Sequence, residues 1–158
     1  MTPDRLDAML LELLHDEPRI GVLEASRRLG VARGTVQSRL DRLERSGVIA
    51  DRSPTLGAAA LGFPVTAFAT LEIAQGQGHS AVIEHLSAIP EVLEAHTTTG
   101  AGDLLIRVVA RTHADLQRVI NEIVDGRHVL RSSTAIALET PIPPRSVQLV
   151  WAAVPEPR

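Results

Sequence analysis

The 158-residue chain contains no cysteine and no lysine. Without cysteine it can form neither disulfides nor thiolate metal sites, and this composition is compatible with the cytoplasm. No run of about 18 apolar residues occurs, so the sequence predicts no membrane span. The first ten residues lack the basic segment and apolar core of a secretion signal. The sequence therefore predicts a cytoplasmic protein without membrane attachment.

Aromatic residues are scarce: Phe63, Phe68 and Trp151 are the only three. This number is too small for a platform that stacks bases, so binding of single-stranded nucleic acid by stacking is not expected. The six histidines are scattered and none forms a metal-binding pair such as HExxH. We therefore expect no metal site, no cofactor and no catalytic centre.

The net charge of -3 argues against a nucleic-acid-binding protein when it is taken alone. The distribution of charge reduces this objection. Between residues 20 and 52 seven arginines stand against four acids, which leaves a local excess of three positive charges. A genome rich in G and C would explain the preference for arginine over lysine as well as a binding role would.

Residues 22–47 predict a short helix, a tight turn and a second helix rich in arginine. Gly30 can take the positive φ that ends the first helix. In the second helix Val36, Leu40 and Leu43 are spaced i, i+4 and i+7, so they form one apolar stripe facing a core. The other face carries small, amide and arginine side chains, as in a helix that enters the DNA major groove.

An ordinary helical hairpin with a solvated arginine face would have a similar composition. Gly47-Val48-Ile49 favours DNA binding, because glycine would end the helix and the β-branched residues would begin a strand. This is the arrangement of a winged helix-turn-helix. The arginines at 27, 28, 42 and 45 are predicted to contact phosphates, with Arg39 beside them. The predicted contacts to base edges are Arg33, Thr35, Gln37 and Ser38.

The residues before this motif predict a further helix. Thr2-Pro3-Asp4 supplies a capping hydroxyl, a proline at the first helical position and an acid in the first turn. The apolar stripe after it should pack under the helix-turn-helix; it consists of Leu6, Met9, Leu10, Leu13 and Leu14. We expect a DNA-binding domain over residues 1–52, followed by a linker over 53–64 that is rich in proline, glycine and alanine.

The second half of the chain predicts a β-α-β-β-α-β order. Strands are expected at 65–73, 92–99, 103–110 and 131–139, and helices at 80–88 and 112–125, with a flexible turn at 75–78. This order predicts an α+β, ferredoxin-like domain over residues 65–140, with two helices on one face of an antiparallel sheet. A partner subunit should cover the other face. The tail, 141–158, is expected to add a strand or to form an interface.

Six short stretches carry a resemblance to a known family. They are residues 6–20 (LDAMLLELLHDEPRI), 39–49 (RLDRLERSGVI), 61–65 (LGFPV), 89–92 (IPEV), 99–105 (TGAGDLL) and 131–134 (RSST). In this order they resemble the Lrp/AsnC, or feast/famine, transcription regulators, whose second domain is of the RAM or ACT-like type. The resemblance covers residues 6–139.

This resemblance implies a DNA-binding dimer, assembled in some relatives into tetramers or octamers, with an amino acid bound between dimers. The implied effector residues are Thr98, Thr99, Gly100, Ala101, Gly102, Asp103 and Thr134. An aspartate can hold an α-ammonium group, and the N–H groups of a glycine-rich turn can hold a carboxylate. Without the resemblance, a plain hairpin turn would explain Gly100-Ala101-Gly102 equally well.

The chain departs from the family pattern at several positions. Gly102 stands where many relatives have an aromatic residue, which suggests either a wider pocket or a different ligand. Ala32 replaces the usual serine cap of the recognition helix. Independently of the family, the spacing makes Asp41 a candidate partner of Arg45 at i+4.

Siroheme decarboxylases share this two-domain arrangement and are the alternative from another functional class. A porphyrin site would need convergence of His96, Arg107, Arg111 and His113 on one large pocket. However, Asp16-Glu17-Pro18-Arg19-Ile20 replaces the Phe-Pro stretch associated with those enzymes. A DNA-binding regulator is therefore the favoured hypothesis.

Overall fold

A computed structural model describes residues 2–51, 53–74, 78–126 and 128–155. The chain forms two compact units, one of residues 1–54 with 142–158 and one of residues 55–141. The sequence-predicted boundary at Arg52 and most of the turn at 75–78 lie outside the described residues. None of the described helices is long and apolar enough to cross a membrane.

The first unit is built on three helices, α1 (Arg5–Asp16), α2 (Val22–Leu29) and α3 (Arg33–Arg45). Their buried apolar residues form one cluster, consisting of Leu10, Ala25, Val36, Leu40 and Leu43. The stripe predicted on α3 is therefore confirmed. Each such leucine or valine contributes roughly 1.5–3 kcal/mol by leaving water. This burial fixes which side of α3 remains exposed.

Two local predictions in this unit were wrong. Asp4, not Thr2, caps α1: its Oδ1 accepts from Asp7 N–H at 2.9 Å, and Asp7 Oδ2 accepts from Asp4 N–H at 2.9 Å.

No wing strand forms at Val48 and Ile49. Their N–H groups instead bond to the Leu43 carbonyl at 3.0 and 3.1 Å, which satisfies the end of α3 and folds Ile49 onto the core.

The C-terminal tail is not the expected added strand. It forms a short helix, α6 (Leu149–Ala153), which belongs to the first unit and contacts α1. The indole Nε1–H of Trp151 donates to a carboxylate oxygen of Glu12 on α1.

The second unit is a four-stranded antiparallel sheet with two helices, in the predicted order. Its elements are β1 (Val65–Ile73), α4 (Gly78–Ser87), β2 (Val92–Thr97), β3 (Leu104–Ala110), α5 (His113–Val124) and β4 (Val129–Ala137). The strand order is β2-β3-β1-β4. This confirms the ferredoxin-like fold. In the region expected to be a linker, residues 58–63 form a hydrogen-bonded turn.

The two faces of the sheet differ in composition because side chains alternate along each strand. Residues of β1 and β3 with Cβ atoms on one face pack against α4 and α5 and are buried; they include Ala67, Ala69, Leu71, Ile106 and Val108. The other face, which we call the open face, carries Phe68, Thr70, Leu105, Arg107 and Ala135. Phe68 remains 41% exposed. Both helices lie on the first face, so neither covers this ring.

Candidate nucleic-acid interface and effector site

The turn between α2 and α3 has the predicted geometry. Gly30 has φ 67°, and the N–H of Val31 bonds to the Ser26 carbonyl at 3.0 Å. A residue with a Cβ is strained at this φ, so glycine ends α2 at the point where the chain must turn. Ala32 caps α3 without a side-chain hydrogen bond. This forgoes a contribution of about 1 kcal/mol from a serine cap.

The face of α3 opposite the core is polar and exposed. Arg33, Thr35, Gln37 and Ser38, the residues predicted to contact base edges, all lie on exposed positions. Gln37 Nε2 donates to Asp41 Oδ1 at 2.8 Å. The predicted Asp41–Arg45 ion pair is not formed: Arg45 Nε donates to the backbone carbonyl of Asp41 at 3.1 Å. Because Asp41 holds the Gln37 amide, this amide must exchange partners before it can contact a base.

The guanidinium groups of Arg39 and Arg42 both bond to carboxylates at the start of α1. Arg39 Nη1 lies 2.6 Å from Asp4 Oδ2 and 2.7 Å from Asp7 Oδ1, and Arg42 Nη2 lies 2.6 Å from both Asp7 oxygens. We call these four residues the acid–arginine cluster. It joins the first turn of α1 to the middle of α3.

Hydrogen bonding within this cluster changes two pKa values. Burial raises the pKa of Asp4, but the hydrogen bond from Arg39 and the N–H of Asp7 together lower it further, below its usual 3.8. The hydrogen bond to Asp4 raises the pKa of Arg39, and burial opposes it. Both groups therefore stay charged at neutral pH.

Arg27 and Arg28, predicted to contact phosphates, are both in surface ion pairs. Arg28 Nη1 lies 2.5 Å from Glu17 Oε1, and Arg27 Nη1 lies 3.5 Å from Glu24 Oε2. The hydrogen bond to Glu17 raises the pKa of Arg28. Such exposed pairs contribute about 0–1 kcal/mol, so a DNA phosphate could replace the carboxylates at small cost.

One stripe of α3 lines an open groove of about 510 Å³. The lining residues are Gly34, Thr35, Ser38, Arg39 and Arg42. The groove thus combines two hydroxyl groups, an uncovered stretch of backbone at the glycine and two guanidinium groups. This set of donors suits an oxyanion such as a phosphate.

In the second unit the predicted effector residues between β2 and β3 form a tight turn. Thr98 N–H donates to the Asp103 carbonyl at 3.0 Å, and Thr98 Oγ1 donates to the Gly102 carbonyl at 3.1 Å. Within the described residues, nothing accepts a hydrogen bond from the N–H groups of Thr99, Gly100 and Ala101. These three donors could hold a carboxylate.

Asp103 joins this turn to β1. Its N–H donates to the Leu71 carbonyl at 2.9 Å, and its Oδ2 accepts from Ile73 N–H at 2.8 Å. The carboxylate is only partly buried, and its second oxygen remains available for an ammonium group. Asp103 therefore combines a structural role with a possible binding role.

Gly102 does not widen the site in the way that the sequence suggested. A Cβ at this position would lie 2.2 Å from Thr70 Cγ2 and 3.2 Å from the Leu71 carbonyl oxygen. The space that a larger side chain would need is occupied by β1. Glycine stands here because the turn packs directly against that strand.

Thr134 is not close to the turn within one chain. It lies on β4 opposite Ala69 of β1, and β1 separates β4 from β3. Two strand spacings amount to about 10 Å. Within one chain, Thr134 and the turn are therefore about two strand spacings apart.

Two of the residues proposed for a porphyrin site share one partner. Arg107 Nη2 lies 2.6 Å from Glu94 Oε1, and His96 Nε2 lies 3.6 Å from Glu94 Oε2. The Arg111 guanidinium instead lies 4.8 Å from the centre of the Phe63 ring. Arg107 and His96 are thus engaged by a carboxylate, and Arg111 by an aromatic ring.

Sequence reasoning missed Asp4 and Asp7 as members of the first unit's polar network. Their partners on α3 are 32 to 35 positions away. The available signal was a pair of acids at i and i+3 in the first turn of a helix, which is also the pattern of a simple capping box.

Comparison with known proteins agrees with both units. Residues 3–50 match a winged helix-turn-helix DNA-binding domain, and residues 66–147 match the Lrp/AsnC ligand binding domain. The chain belongs to the Lrp/AsnC family. It is a transcriptional regulator with a DNA-binding domain and a ligand-binding domain.

Individual relatives support this assignment. An uncharacterized HTH-type transcriptional regulator from Pyrococcus abyssi is 34% identical over 75% of this chain and 75% of its own length. The structure of Escherichia coli AsnC is similar, with a TM-score of 0.85, 27% identity and coverage of 93% and 99% of the two chains. The feast or famine regulatory protein of M. tuberculosis, complexed with L-methionine, has a TM-score of 0.80, 25% identity and coverage of 90% and 97%.

Proposed function

We propose that the protein binds specific double-stranded DNA sequences as a dimer or a multiple of dimers, and that an amino acid changes this binding. The observation that carries the proposal is the exposed polar face of α3 above a fully buried apolar stripe, Val36, Leu40 and Leu43. A helix supported in this way can enter a major groove without losing its own core. Binding to DNA would occur in the cytoplasm.

The DNA contacts divide into two groups. Arg33, Thr35, Gln37 and Ser38 stand at the N-terminal half of α3, where a recognition helix meets base edges. The arginines at 27, 28, 42 and 45, with Arg39 beside them, supply the positive charge that attracts phosphates. Asp41 would repel phosphate, and its bond to Gln37 suggests that it instead orients a base-contacting amide.

The effector is proposed to bind at the turn from Thr98 to Asp103. The N–H groups of Thr99, Gly100 and Ala101 would hold the α-carboxylate, and the free oxygen of Asp103 would hold the α-ammonium group. The M. tuberculosis relative, complexed with L-methionine, supports an amino acid as the ligand. Gly102 supports the turn, and Thr134 would come from another subunit.

The dimer is proposed to form through the open face. The ring of Phe68 is 41% exposed and lies between Thr66 and Thr70 on β1. A second sheet packed on the open face would remove this ring from water. A dimer also presents two copies of α3 to a pseudo-palindromic site.

The proposal is tested by selecting duplexes from a random pool with the purified protein. The selection is run with no addition and with L-methionine, L-asparagine, L-leucine and glycine separately. We expect enrichment of a pseudo-palindromic sequence and a change in affinity with at least one amino acid. Asp103→Asn should abolish the amino-acid response while retaining DNA binding, since an amide oxygen can still accept from Ile73 N–H. Failure to enrich any sequence at low salt would contradict the proposal.

A further inference from the structure

The acid–arginine cluster contains a buried charge that DNA binding, as described so far, does not use. Asp7 is fully buried and is the one ionisable residue with that degree of burial in the described part of the chain. Its carboxylate accepts from Asp4 N–H at 2.9 Å, from Arg39 Nη1 at 2.7 Å and from Arg42 Nη2 at 2.6 Å. Two carboxylates and two guanidinium groups make the cluster neutral.

Stability gives little reason for such a cluster. A buried ion pair pays a large desolvation cost, and well-packed apolar residues in its place are often equally or more stabilising. Capping of α1 uses the Asp4 and Asp7 carboxylates and requires neither guanidinium group of the cluster. Its position on α3 suggests that it serves the surface that meets DNA.

Arg42 is held on one side only. Among the described residues its guanidinium bonds solely through Nη2, to Asp7, and the side chain is 41% exposed. The donors on Nη1 and Nε remain, in a rigid planar group whose orientation Asp7 has fixed. The same guanidinium lines the groove beside the hydroxyl groups of Thr35 and Ser38.

We propose that Asp7 is a positioning residue for DNA recognition, which holds Arg42 so that its free edge binds a backbone phosphate in the groove with Thr35 and Ser38. This inference rests on the proposed contact of α3 with DNA. It assigns Thr35 and Ser38 to phosphate rather than to base edges. It also makes Arg42 a directed ligand rather than a mobile surface charge.

Charge alone gives the opposite expectation for a variant at this position. Removing a carboxylate near a DNA-binding surface should tighten the binding of every duplex, because repulsion of phosphate falls. A positioning role instead requires that Asp7→Asn weakens binding. The direction of the change in DNA affinity of Asp7→Asn therefore distinguishes a positioning role from simple charge repulsion.

The test is a double-mutant cycle with Asp7→Asn, Arg42→Gln and the double variant. Fluorescence anisotropy measures the dissociation constant for a duplex selected from a random pool by the unmutated protein, at several salt concentrations. We expect each single variant to weaken binding on the order of tenfold, the loss typical of one charge-assisted hydrogen bond. The double variant should bind no more weakly than the weaker single variant, because both changes remove the same contact.

Asp16→Asn is the matched control. It removes one negative charge from the same helix as Asp7, and Asp16 is exposed at the last position of α1, outside the acid–arginine cluster. We expect its affinity for the selected duplex to stay within about twofold of the unmutated protein. Equal losses for Asp16→Asn and Asp7→Asn, or losses that multiply in the double variant, would overturn the inference.

Thermal unfolding and amide NMR spectra report whether each variant is folded. If Asp7→Asn does not fold, Arg42→Lys decides the matter, since lysine keeps the charge but cannot bind Asp7 and a phosphate with one planar group. Lysine binding the selected duplex as tightly as arginine would overturn the inference, and about tenfold weaker binding with an unchanged salt dependence would support it. Failure of the unmutated protein to select any duplex would overturn the proposed function as well.

Discussion

Gly102 and Thr70 are so close that a Cβ added to the glycine would lie 2.2 Å from Thr70 Cγ2. The proposed effector turn thus rests directly on the central strand β1. A larger residue at position 102 would require the Thr70 side chain to shift or rotate away.

We expect Gly102→Ala to lower the free energy of unfolding of the ligand-binding unit by about 1–3 kcal/mol, the usual cost of overpacking. Thr70→Ala removes Cγ2 and should recover part of this loss in the double variant. The recovery should be incomplete, because the Leu71 carbonyl oxygen would still lie 3.2 Å from the new Cβ. Urea unfolding followed by the NMR signals of β1 and β3 measures both effects, and additive losses would show that the contact with Thr70 is unimportant.

Arg33 is the first residue of α3, is exposed and forms no ion pair with a residue that the structure describes. We expect Arg33→Ala to weaken DNA binding and to reduce the slope of log K against log salt by about 1, since one fewer counterion is released. Arg118→Ala is the control, because it removes an equal charge from α5. An unchanged slope in Arg33→Ala would exclude this residue from the interface.

Phe68→Glu should dissociate the proposed dimer. Two copies of this charge would be brought together in a water-excluded sheet interface, where neither could be hydrated. Sedimentation velocity at micromolar concentration is expected to give a single monomeric species. Leu56→Glu is the control: Leu56 is 70% exposed and lies outside the sheet. A Phe68→Glu protein with the same sedimentation coefficient as the unmutated protein would place the subunit contact elsewhere.

Asp115 makes the stability of the ligand-binding unit depend on pH in acid. The hydrogen bond from Arg111 N–H, at 2.9 Å, and that from Arg118 lower the pKa of Asp115 below 3.8. Because the pKa of Asp115 is lower in the folded protein than in the unfolded protein, the ionised carboxylate stabilises the fold at pH values above the unfolded pKa. This contribution is lost as the pH falls through the folded pKa.

The stability difference between the unmutated protein and Asp115→Asn should therefore be constant above about pH 5 and shrink below about pH 4. Urea unfolding at a series of pH values, followed by the NMR signals of α5, measures this difference. A difference that persists unchanged to about pH 2 would mean that the carboxylate has no stabilising charge.

Local pattern was sufficient for most elements and insufficient for side-chain partners. The β-branched and aromatic content of β1 and the apolar spacing of α3 are both local signals, so both elements were predicted correctly. Val48 and Ile49 have strand propensity, but the carbonyl of Leu43 at the end of α3 satisfies their N–H groups, and no strand forms. The hydrogen bonds to the Leu43 carbonyl therefore outweigh the strand propensity of these two residues.

The hydrogen-bond partners of the candidate site residues could not be predicted from the sequence. Arg39 and Arg42 were recognised as arginines of the second helix, yet their partners, Asp4 and Asp7, become neighbours only when α1 packs beside α3. Thr134 and the glycine turn were assigned to one ligand site, although β1 lies between their strands. Strand order is a property of the whole domain, and no short stretch encodes it.

The contact between Trp151 and Glu12 gives this protein an intrinsic optical label. Trp151 is the single tryptophan of the chain, and from α6 it contacts α1 of the DNA-binding unit. Tryptophan fluorescence excited at about 295 nm would therefore report loosening of that helix. The ligand-binding unit has phenylalanine as its only aromatic residue type and would not contribute to this signal. Emission and far-ultraviolet circular dichroism recorded together would separate the melting of the two halves without any added dye.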